Sequence, residues 1–97
     1  MYKVSRTNLF VQKVKEFRKD RELVEELTKK IEKLLSDPFI GKPLQHQLSN
    51  YRSVRIRGKY RLIYSLNENE REIILAAFGH RKTIYDFMVL FAKKERA

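Results

Sequence analysis

Between Tyr51 and Tyr64 the chain reads YRSVRIRGKYRLIY, with apolar and polar residues alternating on either side of Gly58. Strand side chains switch faces with a period of two, so this stretch is constrained to a β-hairpin. Val54 and Ile56 share one face, with Ser53, Arg55 and Arg57 on the other. Tyr60, Leu62 and Tyr64 alternate with Arg61, Ile63 and Ser65. A two-residue connection, Gly58 and Lys59, suits a type II′ turn. With Val54 and Leu62 both facing a core, Arg55, Arg57 and Arg61 are expected to converge on the opposite face.

That convergence matters because no counter-charge lies nearby in the sequence. From Pro38 to Asn67 there is no Asp or Glu, while Lys42, Arg52, Arg55, Arg57, Lys59 and Arg61 all fall there. The formal net charge of the whole chain is +10. Such a field draws polyanions by releasing their counterions, which makes nucleic acid the leading partner class and an acidic protein the second. A basic membrane-surface helix fits less well, because the charge concentrates on strands.

With 97 residues the chain is expected to form a single domain, 1–97, large enough for a modest core. It has no cysteine, so neither a disulfide framework nor a cysteine-ligated metal site is available. This fits a cytoplasmic location. No apolar run reaches the length of a membrane span, and MYKVSRT lacks the apolar segment of a signal peptide.

The remaining pattern alternates helix and strand signals. A short strand, residues 2–5, is followed by Thr7 as a helix cap, with Phe10, Val11, Val14 and Phe17 as apolar positions. Asp20 caps a second helix whose stripe is Leu23, Val24, Leu27, Ile31, Leu34 and Leu35, and which Ser36, Asp37 and Pro38 stop. Glu16, Glu22, Glu25, Glu26 and Glu32 are read as the solvated side of this helical hairpin. After the basic hairpin, the apolar run Ile73 to Phe78 reads as a strand buried on both faces. Thr83 and Asp86 have the spacing of a capping box before a last helix striped by Ile84, Phe87, Met88 and Phe91, widened by Val89 and Leu90. The fold class is therefore α+β. A helical hairpin packs on a small, mostly antiparallel four-stranded sheet, and a C-terminal helix follows.

Three stretches in this order, GKPLQHQLSNYR, YRSVRIRGKYRLIY and GHRKTIY, carry a resemblance to the RelE/ParE superfamily of toxins from type II toxin–antitoxin modules. The resemblance implies a basic endoribonuclease that cleaves mRNA in the ribosomal A site, silenced by a cognate acidic antitoxin wrapped around it. In RelE-type members the 2′-hydroxyl attacks the neighbouring phosphate. The superfamily's functional cations fall here on Arg55, Arg61 and Arg81, and its aromatic hydroxyl on Tyr85. A further cation, two residues before Arg55, is replaced by Ser53. Some members use histidines near the end of the last strand, which points to His80 ahead of His46.

The chemistry independently asks for these residue types. Fixed cations stabilise the charge that builds on a pentavalent phosphate, and an arginine fork can hold two of its oxygens. Arg61 suits that role, with Arg55 and Arg81 assisting and Tyr85 stacking on a base or orienting a hydroxyl. His80 is the candidate acid or base. Arg52, Arg57, Lys59 and Lys82 are expected to bind RNA, Arg52 and Lys59 acting at a distance from the chemistry. No cofactor or metal is expected. Two alternatives remain open at the level of sequence: a ParE-like inhibitor of DNA gyrase, and a catalytically silent RNA-binding module.

Overall fold

A computed structural model describes the backbone of residues 2–96 and the side chains of residues 2–91. The elements in chain order are β1 (Lys3–Arg6), α1 (Asn8–Glu16), α2 (Arg21–Ser36), β2 (Lys42–Pro43), β3 (Tyr51–Ile56), β4 (Tyr60–Asn67), β5 (Glu72–His80) and α3 (Arg81–Arg96), with one 3₁₀ turn at His46–Leu48. The strands form one sheet in the order β1-β5-β4-β3-β2, parallel only between β1 and β5. The α+β class and the mostly antiparallel sheet are those expected, but the strand count is five instead of four. The extra strand, β2, spans only two residues, too few to show an alternation. Pro43 is tolerated there because β2 is an edge strand, where a missing N–H breaks no ladder.

Both helix caps of the helical hairpin form as read. Asp20 accepts the Leu23 N–H at 3.1 Å. Thr7 Oγ1 accepts the Phe10 N–H at 3.0 Å and donates to the Ala76 carbonyl at 2.7 Å. Ala76 is the extra residue of a bulge in β5, where the ladder to β4 steps from Ile63 opposite Ala77 to Tyr64 opposite Leu75. One threonine thus ends a loop, starts α1 and fastens it to the irregular point of the sheet.

The sheet is buried on both faces, as the run Ile73 to Phe78 implied. Under α1 and α2, Phe10, Leu23, Leu27 and Leu34 pack on Val54, Ile56, Leu62, Tyr64, Ile73, Leu75 and Phe78. On the other face α3 contributes Ile84 and Met88 to a smaller core with Leu48, Ile63, Ala76 and Ala77. Burying side chains of this size stabilises by about 1.5–3 kcal/mol each before conformational entropy is subtracted. Val11 and Phe87, read as core positions, are 36% and 44% exposed, and Leu90 is 59% exposed. Phe87 instead carries the Lys13 ammonium 3.6 Å from its ring centroid.

Two local expectations are corrected. Helix α3 starts at Arg81, ahead of the proposed capping box, so Thr83 lies inside the first turn. The cap is His80, whose Nδ1 accepts the Lys82 N–H at 3.1 Å, while the Arg81 N–H donates to the Lys59 carbonyl at 2.8 Å. The hairpin connection is also longer by one residue, because Ile56 pairs with Tyr60 and leaves Arg57, Gly58 and Lys59 in the loop. A two-residue loop would set Arg55 opposite Leu62 and force a cation and a core residue onto one face. The added residue keeps Val54 opposite Leu62 and Arg55 opposite Arg61. Arg57 and Gly58 absorb the turn with φ of 55° and 73°.

Candidate active site

The register makes Arg55 and Arg61 direct cross-strand neighbours on the face away from α1 and α2. Like charges placed opposite each other destabilise a strand pair. Among the described residues no carboxylate forms an ion pair with either. The Arg61 guanidinium is held by the turn it follows, its Nη1 donating to the carbonyls of Gly58 at 3.0 Å and Tyr60 at 2.9 Å. Its position is therefore fixed by backbone instead of by an opposing charge.

These two arginines line a cleft of about 610 Å³ together with Lys30, Ile40, Lys42, Pro43, Leu44, Gln45, Ser53, Val54 and Tyr85. Ser53 is 9% exposed, and its hydroxyl lies 2.9 Å from that of Tyr85, joining β3 to α3 across the cleft. Arg81 stands one helical turn before Tyr85 on the same ridge of α3, exposed at the helix start. The cleft thus offers four cations, of which Arg61 is tethered to backbone, and one aromatic hydroxyl around an open space, with Arg81 outside its lining. Among the described residues no three His, Cys, Asp or Glu side chains gather as metal ligands would.

Arg57, expected to share this face, is elsewhere, and so are other residues expected to act on RNA. Arg57 turns to the helical side, where Nε meets Glu26 at 3.0 Å, Nη2 meets Glu22 at 3.0 Å and Nη1 meets Asp20 at 3.6 Å. The Glu26 hydrogen bond leads in raising its pKa above the ordinary arginine value. Two of the glutamates read as merely solvated, Glu22 and Glu26, are its partners. Lack of acidic residues nearby in sequence said nothing of those brought in by α2.

Arg52 also faces away, since it pairs in register with Tyr64 on the helical side. Its Nη1 donates to the Gly41 carbonyl at 2.8 Å and the Phe39 carbonyl at 3.4 Å, with the guanidinium 5.1 Å from the Phe39 ring centroid. Tyr64 works on the same loop. Its buried hydroxyl donates to the Pro38 carbonyl at 2.8 Å and accepts the Gly41 N–H at 3.0 Å, and burial raises its pKa. A Cβ on Gly41 would stand 2.6 Å from that hydroxyl oxygen, so this glycine is required for close approach. Arg52 and Tyr64 therefore place the segment whose Ile40 and Lys42 line the cleft.

His80 pairs with Tyr60, opposite in face to Arg61, and its ring meets Tyr60 edge-on at 5.8 Å. With Nδ1 capping α3 it is separate from the cleft. His46 is exposed in the 3₁₀ turn with φ of 56°. Lys59 and Lys82 are exposed at the hairpin tip and the start of α3. Lys30 and Lys42 line the cleft but were not singled out as binding residues in the sequence. Lys30 sits on a helix distant in sequence, and only the packing of α2 on β3 brings it there.

A helical hairpin on one face of a small sheet and a last helix on the other, in a chain of net charge +10, place the protein in the class of small basic toxins found in toxin–antitoxin modules. The chain belongs to the family described as the ParE toxin of type II toxin–antitoxin systems, parDE, whose family model matches residues 4–85. It is 28% identical over 74 residues, 76% of this chain and 79% of the relative, to a Methanocaldococcus jannaschii protein bearing the name toxin RelE4. It is 35% identical over 65 residues, 63% of this chain and 76% of the relative, to the toxin YoeB of Mycobacterium bovis. Its fold is similar to a chain of the toxin–antitoxin complex RelBE2 from Mycobacterium tuberculosis, with a TM-score of 0.70 and 27% identity over 82% of this chain and 98% of that one.

Proposed function

We propose that this toxin is a metal-independent, ribosome-dependent endoribonuclease that cleaves mRNA in the cleft between the β3–β4 hairpin and α3. The observation that carries this reading is the Arg55–Arg61 pair, set opposite each other without counter-charge and with one guanidinium pinned by backbone carbonyls. A local arrangement that costs stability is retained where a ligand repays it, and the ligand that matches two adjacent guanidinium groups is a phosphate. In the reaction the 2′-oxygen bonds to phosphorus as the bond to the 5′-oxygen breaks. The 2′-hydroxyl gives up its proton and the leaving oxygen gains one. Arg61 stabilises the charge on the phosphoryl oxygens, Arg55 and Arg81 hold the flanking backbone, and Tyr85, positioned by Ser53, orients the 2′-hydroxyl or stacks on a base. His80 serves as a positioning residue at the start of α3.

The same unopposed cations, with the exposed Phe87 and Leu90 on α3, suit a cognate acidic antitoxin, disordered when free, that folds over this face. The ribosome supplies the message in a defined pose, so naked RNA is bound mainly through its charge. The test is an in vitro translation reaction with the purified chain followed by primer extension on the message. Discrete cuts are expected. Intact message together with inhibited supercoiling by gyrase would replace this reading with the ParE-like one. Intact message with neither effect would leave a catalytically silent RNA-binding module.

A further inference from the structure

A second groove, of about 290 Å³, runs between α2 and β3 and is lined by Glu26, Lys29, Lys30, Lys33, Arg55, Ile56 and Arg57. It shares Lys30 and Arg55 with the cleft, so the two depressions meet at those side chains. Beyond Ser53 the outer edge of β3 has no partner strand, since β2 pairs only with Arg52 and Ser53. The groove is therefore open along a strand edge and overhung by helix lysines.

Its charge is asymmetric. Among the described residues Lys29, Lys30, Lys33 and Arg55 form no ion pair, although α2 also carries Glu22, Glu25, Glu26 and Glu32. Two of those carboxylates, Glu22 and Glu26, are held by Arg57 at 3.0 Å each. By gathering them at one end, Arg57 leaves the lysine side of the groove unopposed. Ile56 is its sole apolar lining residue and is 2% exposed, so the rest of its apolar wall comes from the stems of lysine and arginine side chains that end in charge, and not from a socket of apolar residues such as usually anchors a protein partner. Flexible lysine stems on an open channel instead suit the irregular spacing of phosphates in a single strand.

We propose that single-stranded RNA leaving the cleft continues along this groove, with Lys29, Lys30 and Lys33 of α2 holding its phosphates. This rests on the reading of the cleft as an RNA site and extends the bound length beyond the scissile phosphate. The groove ends at the Arg57–Glu26 pair, where the local charge turns negative and the backbone contact stops.

The test measures binding of the full chain to 2′-O-methyl oligonucleotides, which cannot be cleaved. One probe fills only the cleft, at about three nucleotides, and one reaches the groove, at about twelve. Lys29→Gln/Lys33→Gln removes two cations that line the groove and not the cleft. On the long probe the slope of log affinity against log salt is expected to shrink by roughly 0.7 per lysine, with the short probe little affected. Lys15→Gln/Lys19→Gln, which removes the same charge outside both depressions, is expected to move neither slope. Equal effects on both probes, or the same effect from the control variant, would overturn the groove. So would an unchanged RNA slope with lost binding of a polyglutamate peptide, which assigns the lysines to an acidic protein. If the wild type binds long and short probes equally, the groove fails alone; if it binds neither, the cleft reading fails first.

Discussion

Ser53 and Tyr85 hold their hydroxyl oxygens 2.9 Å apart, so the first strand of the basic hairpin and the last helix meet at one point of the cleft. The resemblance implies a cation at this position, whereas Ser53 here tethers the hydroxyl of Tyr85. Ser53→Ala is expected to cost about 1 kcal/mol of stability, the net worth of one hydrogen bond, and to slow cleavage through a less fixed Tyr85. Ser53→Lys adds a cation beside Arg55 and Arg61, and should steepen the salt dependence of RNA binding by roughly 0.7 while lowering the melting temperature. Thermal melts and anisotropy titrations across a salt series check both arms.

Arg61 is expected to act on the transition state more than on binding. Its guanidinium is already oriented by the Gly58 and Tyr60 carbonyls, so no reorganisation is needed as charge develops on the phosphate. Arg61→Ala should lower single-turnover cleavage on programmed ribosomes by roughly 10²-fold or more, with a smaller change in affinity. Arg61→Lys should recover only part, because it keeps the charge but not the fork. A wild-type rate for the bound alanine variant would reduce Arg61 to a phosphate anchor.

Arg57 is expected to matter for folding and not for the chemical step. It ties the hairpin turn to Asp20, Glu22 and Glu26 of the second helix and its cap. Arg57→Ala should lower the melting temperature, and the loss should diminish as salt screens the partly exposed pairs. Cleavage at saturating ribosomes should stay at the wild-type rate. A cleavage defect without a stability defect would return Arg57 to the site.

The contrast between Arg55 and Arg57 shows what the sequence could reveal. Periodicity assigned both to one face, and it was right for Arg55 because Val54 and Leu62 had to be buried together. It failed for Arg57 because a single added loop residue at positive φ redirects a side chain, and alternation carries no information about loop conformation. Helix caps at Thr7 and Asp20 were legible since side chain and target are three residues apart. The His80 cap was not, because the more familiar Thr83 and Asp86 spacing competed with it. Lys30 in the cleft and the hold of Tyr64 on Gly41 depend on contacts between distant segments. No local pattern encodes them.

Tyr64 gives the last prediction, and it links burial to pH. Its hydroxyl is the donor to Pro38 and the acceptor from Gly41, so Tyr64→Phe leaves both backbone groups unpaired at a cost of about 1–3 kcal/mol. The Ile40 and Lys42 side of the cleft should loosen with them, weakening RNA binding more than Ser53→Ala does. Burial raises the Tyr64 pKa above the ordinary 10.0, so the folded state disfavours the phenolate. The tyrosine's contribution is therefore fully present below that ordinary value and is lost as pH climbs through the raised one, where the unfolded chain ionises first. Urea unfolding of wild type and Tyr64→Phe at about pH 8 and again near pH 11 should show the gap between them narrowing at the higher pH. A gap that stays constant would mean that the folded protein accommodates the phenolate, and that burial at Tyr64 does not govern the loop.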